Sequence, residues 1–154
     1  MFIEPASFSK QSVNRFLGED HARLDSLFQK ARAAFDSGRR QDGAALFFEF
    51  QAGLEQHLRM EEEILFPKFE ALVPHETEPG PTQALRLDHR EIRKLLRLIG
   101  DNLSAGESPC GSAEALHGVL QSHSLQEELV LYRLIDRVAG SALASELVHC
   151  MEAL

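Results

Sequence analysis

The feature that most constrains this chain is a pair of matched His-x-x-x-Glu stretches, His57-Leu58-Arg59-Met60-Glu61 and His123-Ser124-Leu125-Gln126-Glu127. On an α-helix that spacing turns about 40° and rises about 6 Å, so imidazole and carboxylate leave from one face. The neighbours repeat too: Glu61-Glu62-x-Ile64-Leu65-Phe66 reads against Glu127-Glu128-x-Val130-Leu131-Tyr132. Upstream of each stands a second matched pair, Asp20-His21-x-x-Leu24 and Asp88-His89-x-x-Ile92. The chain is laid out as two helical hairpins on one plan, each carrying a His and then a His-x-x-x-Glu. Four imidazoles and two carboxylates gathered in this way suit a two-metal site inside a helix bundle.

Helical periodicity predicts four long helices and a short one. The first runs from about Ser12 to Phe35, with His21 on the stripe of Leu24, Phe28, Ala31 and Phe35, and stops at Ser37-Gly38 with Gly38 in a left-handed position. The second starts from an N-cap at Asp42 and reaches about Val73, with Phe47, Phe50, Leu54, His57, Glu61, Ile64 and Leu65 on one face. Pro67 cannot donate a backbone N–H, which predicts a kink or irregular turn just after Glu61. A loop over Pro74–Pro81 contains a solvated His75. The third helix, from Pro81 or Thr82 to about Ser104, aligns Leu85, His89, Ile92, Leu96, Ile99 and Leu103. The fourth starts near an N-cap at Ser112, turns Leu116, Leu120, His123, Glu127, Val130 and Leu134 inward, and ends near Gly140. From Ser141 a last amphipathic helix aligns Leu143, Leu147, Cys150, Met151 and Leu154.

The expected fold is therefore all-α, a single domain over residues 1–154. An up-down-up-down four-helix bundle occupies about 12–139 and the extra C-terminal helix about 141–153. That helix packs across an end or side of the bundle, or supplies a surface to a partner such as a second copy in a homodimer. At 154 residues, 44% of them hydrophobic and 26% charged, the chain has enough apolar surface for a real core. A net charge of −8 argues against a nucleic-acid partner, because phosphate binding needs a basic face. Nothing in Met1-Phe2-Ile3-Glu4-Pro5 reads as a secretory leader, no stretch reads as a membrane span, and Cys110 and Cys150 lack metal-binding spacing. A cytoplasmic location is expected, with Cys110 a free thiol in a loop.

A lone His on an apolar stripe is more often a hydrogen-bonded core residue than a ligand, and a single i,i+4 His–Glu pair is common on solvated faces. Here His21, His57, Glu61, His89, His123 and Glu127 all fall on inward stripes, in matched order. A buried, unpaired carboxylate costs several kcal/mol, on the order of 3–5, which a divalent cation removes. Two shared carboxylates suit a pair of Fe, Mn or Zn ions within about 4 Å of each other. Positions remain for a bridging oxide or hydroxide and for an outside ligand. His117 and His149 lie off the stripes. Glu62, Glu63 and Glu128 point sideways, to the surface or to the back of a ligand; Asp20 and Asp88 read as polar-face residues, with a hydrogen bond to an imidazole as the other option. Tyr132 lies nine residues beyond His123, about 180° round an ideal helix, and is expected outside the pocket.

The residues His21, His57-x-x-x-Glu61, His89 and His123-x-x-x-Glu127, with Glu63-Ile64-Leu65-Phe66-Pro67 and Glu128-Leu129-Val130-Leu131-Tyr132 behind them, resemble the hemerythrin-like (HHE cation-binding) family. The resemblance covers about Ser12 to Val138 and is carried by a specific combination of motifs. It implies a four-helix bundle with a non-haem, carboxylate-bridged pair of iron ions, with Zn or Mn as substitutes. His21 and His57 would hold one iron and His89 and His123 the other, bridged by Glu61 and Glu127. The oxygen-carrying members have a further His where this chain has Arg93, and an Asp bridge at the position of Glu128. The four-His, two-Glu set is closer to bacterial hemerythrin-like and iron–sulfur-cluster repair proteins, although the chain begins too near its first helix for the extra N-terminal domain many of those carry. Arg93 is expected to carry its charge outward or toward a carboxylate such as Glu61 or Glu127. The metal between His89 and His123 then keeps an open position.

Three functions follow from these residues. The first is a module that binds or senses dioxygen or nitric oxide. The second is a redox enzyme or iron-handling protein that reduces nitric oxide or peroxide, or donates iron to damaged clusters. The third is a structural metal core. The chain shows no nucleophile, phosphate loop or substrate-specific constellation, which favours binding over turnover.

Overall fold

The computed structural model describes residues 11–74 and 80–154. The expectations for the chain start, for His75 and for most of the loop around it lie outside the described residues. Helix α1 (Val13–Asp36) begins at Ser12, whose hydroxyl accepts the Arg15 N–H at 3.0 Å. A second cap arrives from far along the chain: Asp136 accepts the N–H of Val13 at 2.8 Å and of Asn14 at 3.0 Å. That places a carboxylate on the positive end of the helix dipole. At the other end Gly38 takes φ 74° and Arg39 N–H closes onto the Ala34 carbonyl, as the sequence predicts.

Helix α2 (Arg40–Met60) starts earlier than expected, with Arg39 in the N-cap position and Asp42 inside the first turn. It continues through a π-helical turn (Glu61–Leu65) into α3 (Phe66–Leu72). Helix α4 spans Pro81–Ser104. Helix α5 (Cys110–Gln126) starts from Pro109, and Ser112 is not its cap but donates its hydroxyl to the Pro109 carbonyl. Cys110 is exposed and free, as expected, but opens the helix instead of lying in the loop. A second π-helical turn (Glu127–Leu131) joins α5 to α6 (Tyr132–Glu152). Helix α6 breaks at Gly140, with φ 73° and ψ 169°, so its first part completes the fourth bundle helix and the remainder is the short C-terminal helix. The architecture is an all-α bundle, and among the described residues there is no strand and no helix long and apolar enough to cross a membrane.

The two π turns decide what faces inward. Each follows a glutamate of the repeat, and each is closed by an N–H five residues on, Phe66 to Glu61 and Tyr132 to Glu127. One extra residue per turn rotates everything downstream by about 100°. The fourth helix shows the result: Val130, expected inside, is 60% exposed, while Leu131 and Tyr132 are buried. Pro67 coincides with the first irregular turn but does not cause it, since the second forms with Arg133 at the matching position. The C-terminal helix likewise buries Ala144, Leu147, Val148 and Met151, and leaves Cys150 and Leu154 exposed.

The interior falls into two apolar layers. One gathers Leu24, Phe28, Phe47, Phe50, Leu54, Ile92 and Leu116 at the end where α1 meets α2. The other gathers Val13, Leu17, Phe66, Phe69, Leu131, Ile135 and Leu147, and so includes the C-terminal helix. Between them lies a polar waist of His57, Glu61, His89, His123 and Glu127, each at most 2% exposed. Helices α1 and α2 approach closely above it, because a Cβ at Gly53 would meet Leu24 Cδ2 at 2.9 Å and one at Gly43 would meet the Phe35 ring at 2.8 Å.

Candidate metal centre

The structure brings all six residues singled out in the sequence to this waist, in two groups that share the glutamates. His21, His57, Glu61 and Glu127 offer ligand atoms within 4.8 Å of one another, and so do Glu61, His89, His123 and Glu127. Helical spacing does part of the work: His123 Nε2 stands 2.9 Å from Glu127 Oε1 and His57 Nε2 stands 3.6 Å from Glu61 Oε1, each pair one turn apart. The rest comes from across the bundle, with His21 Nε2 at 3.2 Å from Glu127 Oε2 and His89 Nε2 at 3.2 Å from Glu61 Oε2.

Every imidazole is held from behind. Nδ1 of His21 meets Glu128 at 2.7 Å, His57 meets Asp20 at 2.8 Å, His89 meets Glu62 at 2.8 Å and His123 meets Asp88 at 3.2 Å. With Nδ1 occupied, each ring directs Nε2 at the centre, the orientation that metal-binding histidines need. The repeated Asp20/Asp88 and Glu62/Glu128 were the sequence signal for this arrangement. The sequence offers these contacts as one of two options for each residue; each aspartate serves the histidine of the neighbouring helix, not the one beside it in sequence. Glu63 is on the surface, paired with Arg59. His149 is exposed, and the half-buried His117 lies at the rim of a cavity beside the centre.

Tyr132 is a correction. Its ring is fully buried, and its hydroxyl donates to Glu61, lies 3.0 Å from Glu127 Oε2 and stands 3.3 Å from His21 Nε2. The π turn is the reason. It puts Tyr132 above Glu127 across an i,i+5 bond, where ideal α geometry would send it to the far side. In the other half the same position is Phe66, whose ring stacks on His89 at 5.4 Å between centroids.

Arg93 differs from expectation as well. It reaches neither Glu61 nor Glu127, but forks onto Glu55 at 2.8 Å and onto Glu62 at 2.8 Å, behind His89. The opening lies on the other side. A cavity of about 330 Å³ reaches His21, His57 and His123 between α1, α2 and α5.

The electrostatics fit a cation. Burial works against protonating His21, but the carboxylates of Glu127 and Glu128 outweigh it and raise its pKa to about 9. In the same way burial of His89 is overcome by Glu127, Glu61 and Glu62, which raise it to about 10, and His123 is raised beside Glu127. Burial opposes ionisation of Glu127 too, yet the surrounding imidazoles hold it well below the usual carboxylate range. Without a metal, His21, His89 and His123 carry protons that compensate the charge of Glu127. Protons do not satisfy everything: His57 Nε2 is buried without a hydrogen-bond partner, and Glu61 Oε2 and Glu127 Oε1 approach His89 Nε2 at 3.2 Å and His123 Nε2 at 2.9 Å without hydrogen-bond geometry. Such orphaned atoms are costly unless something polar fills the space between them, and a divalent cation bound by nitrogen and oxygen donors suits these three atoms.

No curated protein and no solved structure matches the chain. A family model does, over residues 12–135, which contain every donor described above and both π turns. With that match the chain belongs to the hemerythrin HHE cation-binding domain family.

Proposed function

We propose that the waist holds two iron ions, one between His21 and His57 and one between His89 and His123, with Glu61 and Glu127 shared, and that the centre binds or senses dioxygen or nitric oxide. The observation that carries this reading is the pair of four-donor groups sharing both glutamates, with orphaned atoms facing the space between them. A bound iron pair supplies open coordination positions and one-electron chemistry. The chain's own residues fix the imidazoles from behind, exclude bulk water with two apolar layers, and leave an approach past His21 and His57. Zinc or manganese would fit the same donors. Arg93, held by Glu55 and Glu62, supplies no further imidazole, so the reduced protein is expected to oxidise in air without cycling dioxygen on and off.

A second reading is favoured by Tyr132. A buried hydroxyl touching both shared carboxylates places a proton donor at the centre, which suits reduction of nitric oxide or peroxide. Anaerobic iron loading followed by elemental analysis should approach two irons per chain. Optical spectra on adding dioxygen, nitric oxide or peroxide then separate binding from turnover. A tightly held stoichiometry of one iron would overturn the paired centre.

A further inference from the structure

The internal repeat keeps its donors and changes what surrounds them. On the His89 side the flank of the centre is filled, with Arg93 lying across it on Glu55 and Glu62. On the His21 side the positions matching Arg93, Glu55 and Glu62 are Asp25, Gln121 and Glu128, and Ser124 matches Leu58. Replacing Arg93 by Asp25 removes the fork that closes the side, and replacing Leu58 by Ser124 removes a branched side chain. The cavity of about 330 Å³ occupies the space left over.

That space is far larger than a diatomic molecule needs. It is about twice the size of an engineered cavity of about 150 Å³ that takes up benzene, and falls at the small end of organic-ligand sites, about 300–1,000 Å³. Its walls are apolar and aromatic, with Phe28 and Phe50 stacked at 4.7 Å between centroids and Leu54 and Leu58 beside them. Its inner end is polar, because His57 Nε2 is buried there without a partner and His21 stands alongside. Its lining also includes Asp25 and Gln121, which are exposed and offer hydrogen-bond acceptors.

We propose that this cavity is a binding site for a small aromatic alcohol of the phenol class, its ring between the Phe28 side and Leu54 and its oxygen directed at the His21/His57 end. The ring matches the aromatic wall of Phe28 and Phe50, and the single oxygen matches the polar end at His21 and His57. A carboxylate-rich ligand does not match, since Asp25 and Glu128 both line the site. The proposal rests on the paired-metal reading, because a metal held by His21 and His57 would be the partner of that oxygen.

The test uses the full chain and phenol itself. In the zinc-loaded protein, phenol should shift the ring resonances of Phe28 and Phe50 while those of Phe69, in the far apolar layer, stay put. In the iron-loaded protein, phenol should displace azide competitively, read by the azide charge-transfer absorption. Ser124→Leu, which copies the residue of the other half, should weaken phenol at least about tenfold and leave azide affinity within about twofold. Ala22→Leu, at an exposed position of the cavity lining, should act in the same direction and covers the case in which Ser124→Leu fails to fold. Phenol that shifts no ring resonance, or binds the filled variants as well as the parent, overturns the cavity assignment while azide binding leaves the centre standing. Failure to load a metal pair or to bind azide overturns the underlying reading instead.

Discussion

The hairpin of α1 and α2 and the hairpin of α4 and α5 present the same donors in the same order, yet they differ where function is decided. Tyr132 stands where the first hairpin has Phe66, Asp25 where the second has Arg93, and Ser124 where the first has Leu58. Each difference acts on one side of the centre. The hydroxyl and the cavity both belong to the His21 side, and the ion-pair lid belongs to the His89 side. Two donor groups with equivalent nitrogens and oxygens are thereby made inequivalent in access, in proton supply and in the field behind the imidazoles. The donors alone would describe a symmetric core; the side chains that break the symmetry make one face a site.

The largest effects should come from the shared carboxylates, which belong to both halves at once. Glu127→Gln is expected to lower metal affinity by more than about 100-fold, the upper range for supporting groups, because it removes a direct donor from both positions. It should also destabilise the metal-free protein by about 3–5 kcal/mol near neutral pH, since it strips the main counter-charge from His21, His89 and His123. Glu61→Gln should match it in metal loss and cost less stability in the metal-free form. Elemental analysis and thermal melts of loaded and chelated protein check both; equal melting temperatures for the two metal-free variants would show that the halves share charge evenly.

The pH dependence comes next. His21 and His89 have folded pKa values raised to about 9 and about 10, above an unfolded value of 6.5. A raised value contributes stability that is complete below the unfolded pKa and is lost as pH climbs through the folded one. The metal-free protein should therefore lose melting temperature steadily between about pH 6.5 and pH 10. In the loaded protein a metal replaces those protons, so its melting temperature should vary much less over the same range. Binding must release protons from His21, His89 and His123, and calorimetry in buffers of different ionisation enthalpy reads that release. A metal-free melting temperature that is flat over this window would mean that the imidazoles are neutral.

How much of this was legible in the sequence follows from which parts obey an ideal helix. His57 and Glu61, or His123 and Glu127, lie within one regular turn, so a spacing of four residues suffices to place them together. The helices and the all-α bundle were legible for the same reason, because apolar stripes persist over several turns. An irregular turn near Glu61 was legible, but the second π turn was not, since no proline or glycine marks it and the one hint was the unexplained Tyr132/Phe66 match. Inward-face readings failed around the second π turn, at Val130 and Tyr132, while Leu65 in the first is buried as expected. Arg93 failed for a different reason. Its partners Glu55 and Glu62 sit on another helix, and no periodicity within one helix reveals a cross-bundle pair.

Tyr132→Phe makes the two halves alike at the position where they differ most closely to the centre. Glu61 and Glu127 then each lose a neighbouring hydroxyl in a buried setting, at about 1–3 kcal/mol in the metal-free protein. For a chain of this size that is roughly 2–12 °C in melting temperature. Iron loading should survive, and the Mössbauer signals of the two irons should become more alike. Undiminished inequivalence would assign the asymmetry to the cavity side or to Arg93 instead.

The smallest effect expected is at Arg93. Its side chain is 26% exposed and its partner Glu55 44% exposed, so the ion pair contributes only about 0–1 kcal/mol and Arg93→Gln should move the melting temperature by no more than about 4 °C. Its consequence should be local. Burial pushes the Glu62 carboxyl up, but Arg93 and His89 outweigh it and hold it below its ordinary range, and Glu62 is the group that fixes His89 from behind. Losing the fork frees Glu62 to turn, so the His89/His123 position should lose affinity by about 10-fold, the lower range for such supporting groups. Asp25→Asn, the matching change in the other half, should leave the His21/His57 position within about twofold, because Glu128, not Asp25, holds His21. Stepwise competition with a chelator separates a weakened position from an intact one. Two unchanged affinities in Arg93→Gln would show that His89 orients Glu62 unaided, and that the lid closes the flank without tuning the metal beneath it.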